Sequence, residues 1–446
     1  MRHQAQPPDD APRFQVRAVP RACYWLGQGM RGLRKVSMHD ERGDRDNRSM
    51  SAFPVVIHAT EFPPGPGGIG THACALARGL AGFGFQVHVL VPIANVNTTA
   101  IHEFASKERY AISAMPFRSP RVLEGALRLR EVVATLRRLR GRTRGAPHPC
   151  LIASGSQALW VGSVAAALTG SPCMAVVHGS ELDSRVRWER ALMGIALRRC
   201  SAVVAVSEFT ARYLQRFPVR PDRVHVIPNG ADASVFGCPT NRNEARKALR
   251  EKLGLGAGPI LLTVGNVGPR KGQEVVIRAL PEIKRHFPGV TYLMVGLPTF
   301  MAAYSRLAAD LGVAAHVRFL GVATPVELNK AYNGADLFVM VSRHTGEGDF
   351  EGFGIAAVEA GLCGLPSVVT RDCGLVEAIE EGVTGVAVNQ DDPVGTAAAI
   401  VSLLADPRRL REMGDNARAR ALQSQTWDSI VPRYARLIRN LMGETA

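Results

Sequence analysis

The sequence predicts an α/β protein built as two parallel-sheet domains. Three observations lead there. The chain has 446 residues, more than one ordinary core accommodates, so two domains are expected. Short apolar runs of strand composition alternate with helix-period segments along both halves, the pattern of parallel sheets joined by crossover helices. Each half also opens in the same way, with an apolar strand, a polar glycine loop and the start of a helix. No fixed-period repeat accompanies this, so the halves share architecture only.

Composition sets the class. A hydrophobic content of 46% against 21% charged residues describes a globular chain, and 44 glycines with 28 prolines suggest many loops rather than disorder. Lys and Arg exceed Asp and Glu by 54 to 39, a net charge of +15. That balance points to an anionic partner (phosphates, nucleic acid or an anionic membrane face) without choosing among them. The eight cysteines are scattered without a CxxC pair, so neither a disulfide framework nor a zinc site is indicated. The amino terminus lacks an apolar signal core, and no stretch qualifies as a membrane span. The most apolar window, 151–170, is broken by Ser154, Gly155, Ser156, Gln157 and Gly162. A cytoplasmic, reducing location is expected.

In chain order, residues 1–50 mix Pro, Arg and Asp with little periodicity and read as a flexible extension, with Met38 or Met50 as alternative starts. A first strand at 53–59 is followed by Gly65-Pro66-Gly67-Gly68-Ile69-Gly70, a small-residue helix at 71–80 and a second strand at 85–91. The glycine spacing fits GxGxxG, but a nicotinamide site also needs an acid at the end of the second strand for the ribose. No Asp or Glu occurs between Glu61 and Glu103, and the dehydrogenase reading loses its support. A glycine nest able to approach a phosphate survives.

The stretch 118–144 carries nine arginines, the first Arg118 and the last Arg144, relieved only by Glu124 and Glu131. Two readings stay open: a cationic helix facing anionic lipid or a charged acceptor, or a solvated helix with its apolar stripe in the core. Aromatic interleaving is missing, which counts against single-stranded nucleic acid. Short strands follow at 151–153, 173–177 and 202–206. The second runs into His178-Gly179-Ser180-Glu181, and a histidine between a buried strand and a glycine is a candidate site residue. Residues 224–230 form a short strand and a turn set by Pro228 and Asn229-Gly230. The domain boundary is placed after this turn, giving domains 51–237 and 238–425.

The second domain opens with a strand at 260–264 and the loop Gly265-Asn266-Val267-Gly268-Pro269-Arg270-Lys271-Gly272. It is not a P-loop, yet two cations beside helix-terminal N–H groups suit a diphosphate. Further strands are expected at 291–295, 317–320, 337–341 and 367–370. The strand at 337–341 leads to Glu351-Gly352-Phe353-Gly354-Ile355-Ala356-Ala357-Val358-Glu359. Glu351 lies at the end of a glycine loop and Glu359 in the second turn of a helix, at the mouth of a strand, where open α/β sheets bind anionic ligands. Carboxylates there suit a ligand bearing hydroxyls, such as a sugar or a ribose. Finally Trp427, Ile430, Val431, Tyr434, Leu437, Ile438 and Leu441 form one helical face. This closing helix, within 426–446, is expected to cross back to the first domain.

Taken together these motifs resemble the retaining glycosyltransferases of family-4 (group 1) type, from about Phe53 to the end of the chain. The Glu351–Glu359 spacing is the most specific match. Gly67-Gly68-Ile69-Gly70, His178-Gly179-Ser180-Glu181, Ile227-Pro228-Asn229-Gly230-Ala231-Asp232 and Arg270-Lys271-Gly272 follow the family's order. The resemblance implies the GT-B fold, two Rossmann-like parallel-sheet domains facing a central cleft. It implies that Glu351 contacts the hydroxyls of the donor sugar, Glu359 the ribose, and Lys271 the diphosphate. Backbone N–H groups around Phe353, Gly354 and Ile355, and the loop at Gly67 and Gly68, would assist Lys271, and His178 would sit at the reacting sugar. The family often places an arginine where this chain has Asn266, so diphosphate binding leans more on Arg270 or is weaker.

The expected reaction is transfer of a hexosyl group, with retention, from a UDP- or GDP-sugar to a lipid-linked or polysaccharide acceptor in cell-surface glycan synthesis. Lipopolysaccharide or exopolysaccharide assembly at the inner membrane face is the expected setting, with an anionic membrane surface met through 118–144. No metal is expected: Asp44-Arg45-Asp46 has the DxD form of metal-dependent transferases but lies in the charged tail. No cofactor beyond the nucleotide-diphosphate sugar and no nucleic-acid partner is expected. A nucleotide-sugar epimerase of the same fold and a non-catalytic nucleotide-binding subunit are the alternatives.

Overall fold

The computed structural model describes residues 53–443 apart from 64, 66, 93–97, 116–120, 143–147, 185, 240–241 and 346–349. The extension 1–50, with Asp44-Arg45-Asp46, lies outside the described residues. The first sheet has seven strands: β1 (Pro54–Ala59), β2 (Gln86–Pro92), β3 (Ala111–Met115), β4 (Cys150–Ser154), β5 (Cys173–Val177), β6 (Ala202–Ala205) and β7 (Val224–Val226). The second has six: β8 (Ile260–Val264), β9 (Thr291–Val295), β10 (Val317–Gly321), β11 (Leu337–Met340), β12 (Ser367–Thr370) and β13 (Gly385–Val388). Every residue of β1, β4, β5 and β6 is buried. This is why they read as unbroken apolar runs, since helices cover both faces of a parallel sheet.

All strand pairs within each sheet are parallel. The orders are β3-β2-β1-β4-β5-β6-β7 and β10-β9-β8-β11-β12-β13. Both sheets therefore reverse direction once, between β1 and β4 and between β8 and β11. A crevice opens at such a switch point, beyond the carboxyl ends of the strands, because the flanking connections lead away to opposite faces. These are two Rossmann-like domains. The edge strands β3 and β13 have no counterpart in the sequence expectations, and the helix Gly68–Gly82 begins inside the glycine loop rather than after it.

The Trp427–Leu441 helix packs on Gly68–Gly82, with the His72 Nε2 and the Tyr434 hydroxyl 3.1 Å apart. Its entry crosses the turn after β7. Ala231 N–H donates to Gln425 O at 2.9 Å, and Trp427 N–H donates to Ala231 O at 3.2 Å. A Cβ on Gly230 would lie 2.9 Å from the Trp427 backbone nitrogen. The Asn-Gly turn is thus the place where two chain segments cross. A second tie is made by Glu377, whose carboxylate accepts from the backbone N–H groups of Glu208 and Phe209, both at 2.8 Å. That caps the first turn of the Glu208–Leu214 helix from the other domain.

Two stability changes follow. Gly230→Ala forces backbone apart and lowers the thermal midpoint, on the scale of about 1–3 kcal/mol for overpacking. Glu377→Ala leaves two helix-terminal donors without their charged acceptor, about 2 kcal/mol. Chemical denaturation of both variants against the parent checks this.

Candidate active site

The loop after β8 turns back through the short 3-10 turn Pro269–Lys271, and Gly272 ends it with φ 70°. A Cβ there would meet the Val341 carbonyl oxygen at 1.9 Å, so only glycine lets this loop lie against the mouth of β11. Arg343 pins it further, its N–H donating to Arg270 O at 2.9 Å and its Nε to Pro269 O at 3.1 Å. The switch-point loops are thereby fastened together, and their charged residues meet. Arg270 and Lys271 both donate to Oε2 of Glu351, each at 2.6 Å. Glu351 is buried. Burial pushes its pKa up, but the charges and hydrogen bonds of Lys271 and Arg270 outweigh that and hold it below the usual carboxylate value.

Gly354, with φ 85°, precedes the Ile355–Leu362 helix. The first N–H groups of any helix lack intrahelical partners, so Phe353, Gly354 and Ile355 bring donors to the same crevice. Glu359 is one turn further on, and Tyr332 donates to its Oε2 at 2.7 Å. Burial pushes the Glu359 carboxyl up to about 7, opposed by the Tyr332 bond and the Lys271 charge. Asn266 is exposed, its Oδ1 accepting from Thr299 Oγ1 at 2.7 Å.

From the first domain, His178 follows β5. Its Nε2 is 2.9 Å from Ser154 Oγ at the end of β4, and its backbone N–H donates to Glu181 Oε1 at 2.7 Å. The His72 ring stands edge-on at 4.9 Å. Burial lowers the His178 pKa to about 4, so the ring is neutral near pH 7. A Cβ on Gly352 would sit 1.7 Å from the His178 carbonyl oxygen, so the backbone beside Glu351 abuts His178 across the cleft. Gly67 and Gly68 open the Gly68–Gly82 helix, but the Glu61 carboxylate lies among them: a Cβ on Gly67 would fall 1.8 Å from Oε2. Glu61 accepts from the backbone N–H groups of Ile69 and Gly70.

Of the residues expected from sequence, the structure gathers Glu351, Lys271, Arg270 and Glu359 around one crevice and brings His178 to its far wall. The Asn266 side chain bonds Thr299 beside it. Sequence reasoning missed Tyr332, Ser154 and Glu61. Ser154 carried a signal, as a polar residue ending a buried strand beside the switch point.

The comparisons with known proteins agree on one family. The model described as "Glycosyl transferases group 1" matches residues 245–420, and "Glycosyltransferase Family 4" matches 66–235. The chain is similar to the GDP-mannose-dependent alpha-(1-6)-phosphatidylinositol monomannoside mannosyltransferase of Mycolicibacterium smegmatis. The two are 36% identical over 272 residues, 59% of this chain and 69% of the relative. The D-inositol 3-phosphate glycosyltransferase of Segniliparus rotundus is 34% identical over 246 residues, 53% of this chain and 52% of the relative. Anabaena Alr3699/HepE in complex with UDP and glucose shares the fold, with a TM-score of 0.72 at 22% identity over 86% of this chain and 100% of that one. The chain belongs to the group 1 glycosyltransferases, with the GT-B architecture of two Rossmann-like domains. It transfers a sugar from a nucleotide sugar.

Glu359 carries a pH signature. Its folded pKa of about 7 lies above the ordinary 4.5, so the folded state holds a proton the unfolded state has released. The stability this contributes is present below pH 4.5 and is lost as pH rises towards about 7. Glu359→Gln removes that slope, which thermal midpoints of the ligand-free protein between pH 5 and pH 8 test.

Proposed function

We propose that this chain is a retaining hexosyltransferase that works without a metal and moves a hexosyl group from a UDP- or GDP-sugar to a lipid-linked or polysaccharide acceptor in cell-surface glycan synthesis. The observation that carries the reading is the meeting of Lys271, Arg270 and Glu351 at the switch point of the second sheet. As the bond to the donor sugar breaks, negative charge grows on the departing diphosphate. Lys271, Arg270 and the N-terminus of the Ile355–Leu362 helix are cationic or positively polarised groups already in place to stabilise it. They supply the charge that a metal supplies elsewhere. Glu351, kept ionised by the same cations, uses its other oxygen for the sugar's hydroxyls, since among the described residues no hydrogen bond reaches Oε1.

Neutral His178 faces that sugar from the first domain as a hydrogen-bonding group. No carboxylate is assigned the role of nucleophile, so acceptor attack on the face the diphosphate leaves accounts for retention. Glu359 accepts from the ribose hydroxyls. The names of the relatives favour GDP-mannose as donor and an inositol-headed glycolipid as acceptor over the lipopolysaccharide setting. A soluble enzyme using a lipid-linked acceptor works at a membrane face, towards which the exposed Arg130, Arg137, Arg138 and Arg140 supply attraction.

Thermal shift against UDP, GDP, ADP and NAD, with and without EDTA, tests the donor site. Stabilisation by GDP or UDP that survives EDTA and vanishes in Glu359→Ala is expected, on the order of 2.7 kcal/mol at a hundredfold excess over Kd. A response to NAD alone, or to none, overturns the reading. Product NMR then decides the stereochemistry: an inverted anomer sinks retention, and an epimerised nucleotide sugar without transfer identifies the epimerase. Lys271→Ala should lower kcat by roughly 10²–10³.

Two further outcomes are expected. Ribose hydroxyls favour ionised Glu359, so nucleotide affinity rises with pH through about 7 and becomes flat in Glu359→Gln by titration calorimetry. If the diphosphate uses the glycine loop, Glu61 must vacate it, and Glu61→Ala tightens GDP or UDP binding. Unchanged affinity would remove that loop from the diphosphate site.

A further inference from the structure

The Arg187–Arg199 helix presents a largely exposed apolar stripe, which meets the described chain where the Trp188 ring lies tilted against Trp160 at 6.1 Å. Trp188 is 58% exposed, Leu192 42% and Ile195 48%, and Ala191 between them is exposed too. These four stand at i, i+3, i+4 and i+7, one helical face. The opposite face is satisfied, with Met193, Gly194, Ala196 and Leu197 buried against the first domain. Most of the stripe's surface is therefore left uncovered by the fold. Large apolar side chains concentrated this way mark an interaction surface.

Charge identifies the occupant. Arg187, Arg190, Arg198 and Arg199 are exposed on the same helix. Its one acid, Glu189, is held by Ser184 Oγ at 2.5 Å. Beside the helix lies a cavity of about 390 Å³ whose lining includes Arg190, Arg198 and Arg216 with Asp183 as the only acid. An apolar stripe with a tryptophan, edged by arginines and backed by a cationic recess, matches the interface of an anionic bilayer: acyl chains against the stripe, phosphate headgroups against the arginines. With 13 residues the helix is too short to span and would lie in the membrane plane.

The neighbouring arginine-rich helix differs. Arg121–Arg142 buries Val132, Leu136 and Leu139, and pairs Arg128 with Glu124 in the interior. What it exposes among the described residues is charge without an apolar anchor. It belongs to the same helical layer, packing on Ser156–Thr169, which packs in turn on Arg187–Arg199. It can attract a membrane but not enter one. We infer that the Arg187–Arg199 helix is the bilayer-inserting surface of this protein, with Trp188, Leu192 and Ile195 as its anchors. The helix follows His178 through the 3-10 turn Ser180–Leu182, so docking would set the cleft wall close to the headgroups. The inference deepens the proposal of a lipid-linked acceptor and rests on it for its purpose, but not for its test.

The full chain is sedimented with phosphatidylcholine vesicles with and without phosphatidylglycerol, alongside W188S/L192S/I195S, R190Q/R198Q and R130Q/R137Q/R138Q. The parent should bind only the anionic vesicles, and the stripe variant should lose at least roughly tenfold in partitioning. Because the three residues are exposed, its thermal midpoint should match the parent's. As a second measurement, parent tryptophan emission should shift to the blue on vesicle binding, and Trp188→Phe should still bind while losing most of that shift. Parent-like sedimentation of the stripe variant overturns the proposal. Weaker binding of R130Q/R137Q/R138Q is expected from the lost attraction, whereas a parent that dimerises through the stripe and ignores vesicles also overturns the proposal. GDP-induced stabilisation is read in the same samples: if it persists while vesicle binding fails, the membrane surface falls and the transferase reading stands, and the converse result separates them the other way.

Discussion

The convergence of Lys271 and Arg270 on one oxygen of Glu351 is the constraint from which the rest of the site follows. The cations sit after β8 and the acid after β11, so the contact exists only because those strands are neighbours and their loops leave the sheet on the same edge. The loops must also lie closer than side chains normally allow, which Gly272 permits. A buried carboxylate without partners would take up a proton, and buried cations without an anion would repel one another. Together they keep the crevice charged and open to an incoming anion.

That crevice is half of a site. The other wall arrives through contacts between the domains that include His178 O against Gly352, Glu377 on the Glu208–Leu214 helix, the crossing of residues 425–427 over the turn at 229–231, and the Phe350 ring against Phe209 and Tyr213 at 5.3 and 4.5 Å. The Phe350 contact is a buried aromatic one; the others are backbone hydrogen bonds, a close backbone approach and a carboxylate at a helix end. Together they hold the two walls of the cleft in orientation, and closure there would exclude water from a bound nucleotide sugar.

The sequence made the central strands legible because full burial turns them into apolar runs, and the loops at their ends legible through glycines that close approach requires. It hid β3 because Ala111–Met115 is half-exposed and carries no continuous pattern, and β13 because Gly385–Val388 is a four-residue run opened by a glycine. Glu351, Glu359, Lys271 and Arg270 were found because spacing around strand ends is local information. Tyr332 and Ser154 were not, since each acts on a residue distant in the chain, and only the sheet order brings them there. Glu61 escaped for another reason: as the lone acid ahead of a glycine loop it was counted as the boundary of an acid-free stretch. The arginines at 118–144 were equally suited to the surface and to a membrane, and burial of Leu136 and Leu139 puts the apolar stripe in the core while leaving Arg130, Arg137, Arg138 and Arg140 outside.

Glu351 and Glu359 belong to one short motif, yet the fold drives their pKa values apart. Glu351 has two cations at 2.6 Å and stays ionised, a fixed acceptor. Glu359 has a phenol at 2.7 Å and only a more remote cation, and burial brings its carboxyl up to about 7. When the environments of two like groups separate their titrations, their duties separate too. In the proposed roles, one carboxylate is ready for sugar hydroxyls at any neutral pH. The other becomes fully charged when hydroxyl donors or a higher pH replace its proton. With the roles proposed above, such a site holds one charge constant while linking nucleotide entry to proton release. The eight-residue spacing places both acids in one crevice, and Tyr332 on one side and Lys271 with Arg270 on the other determine which acid is which.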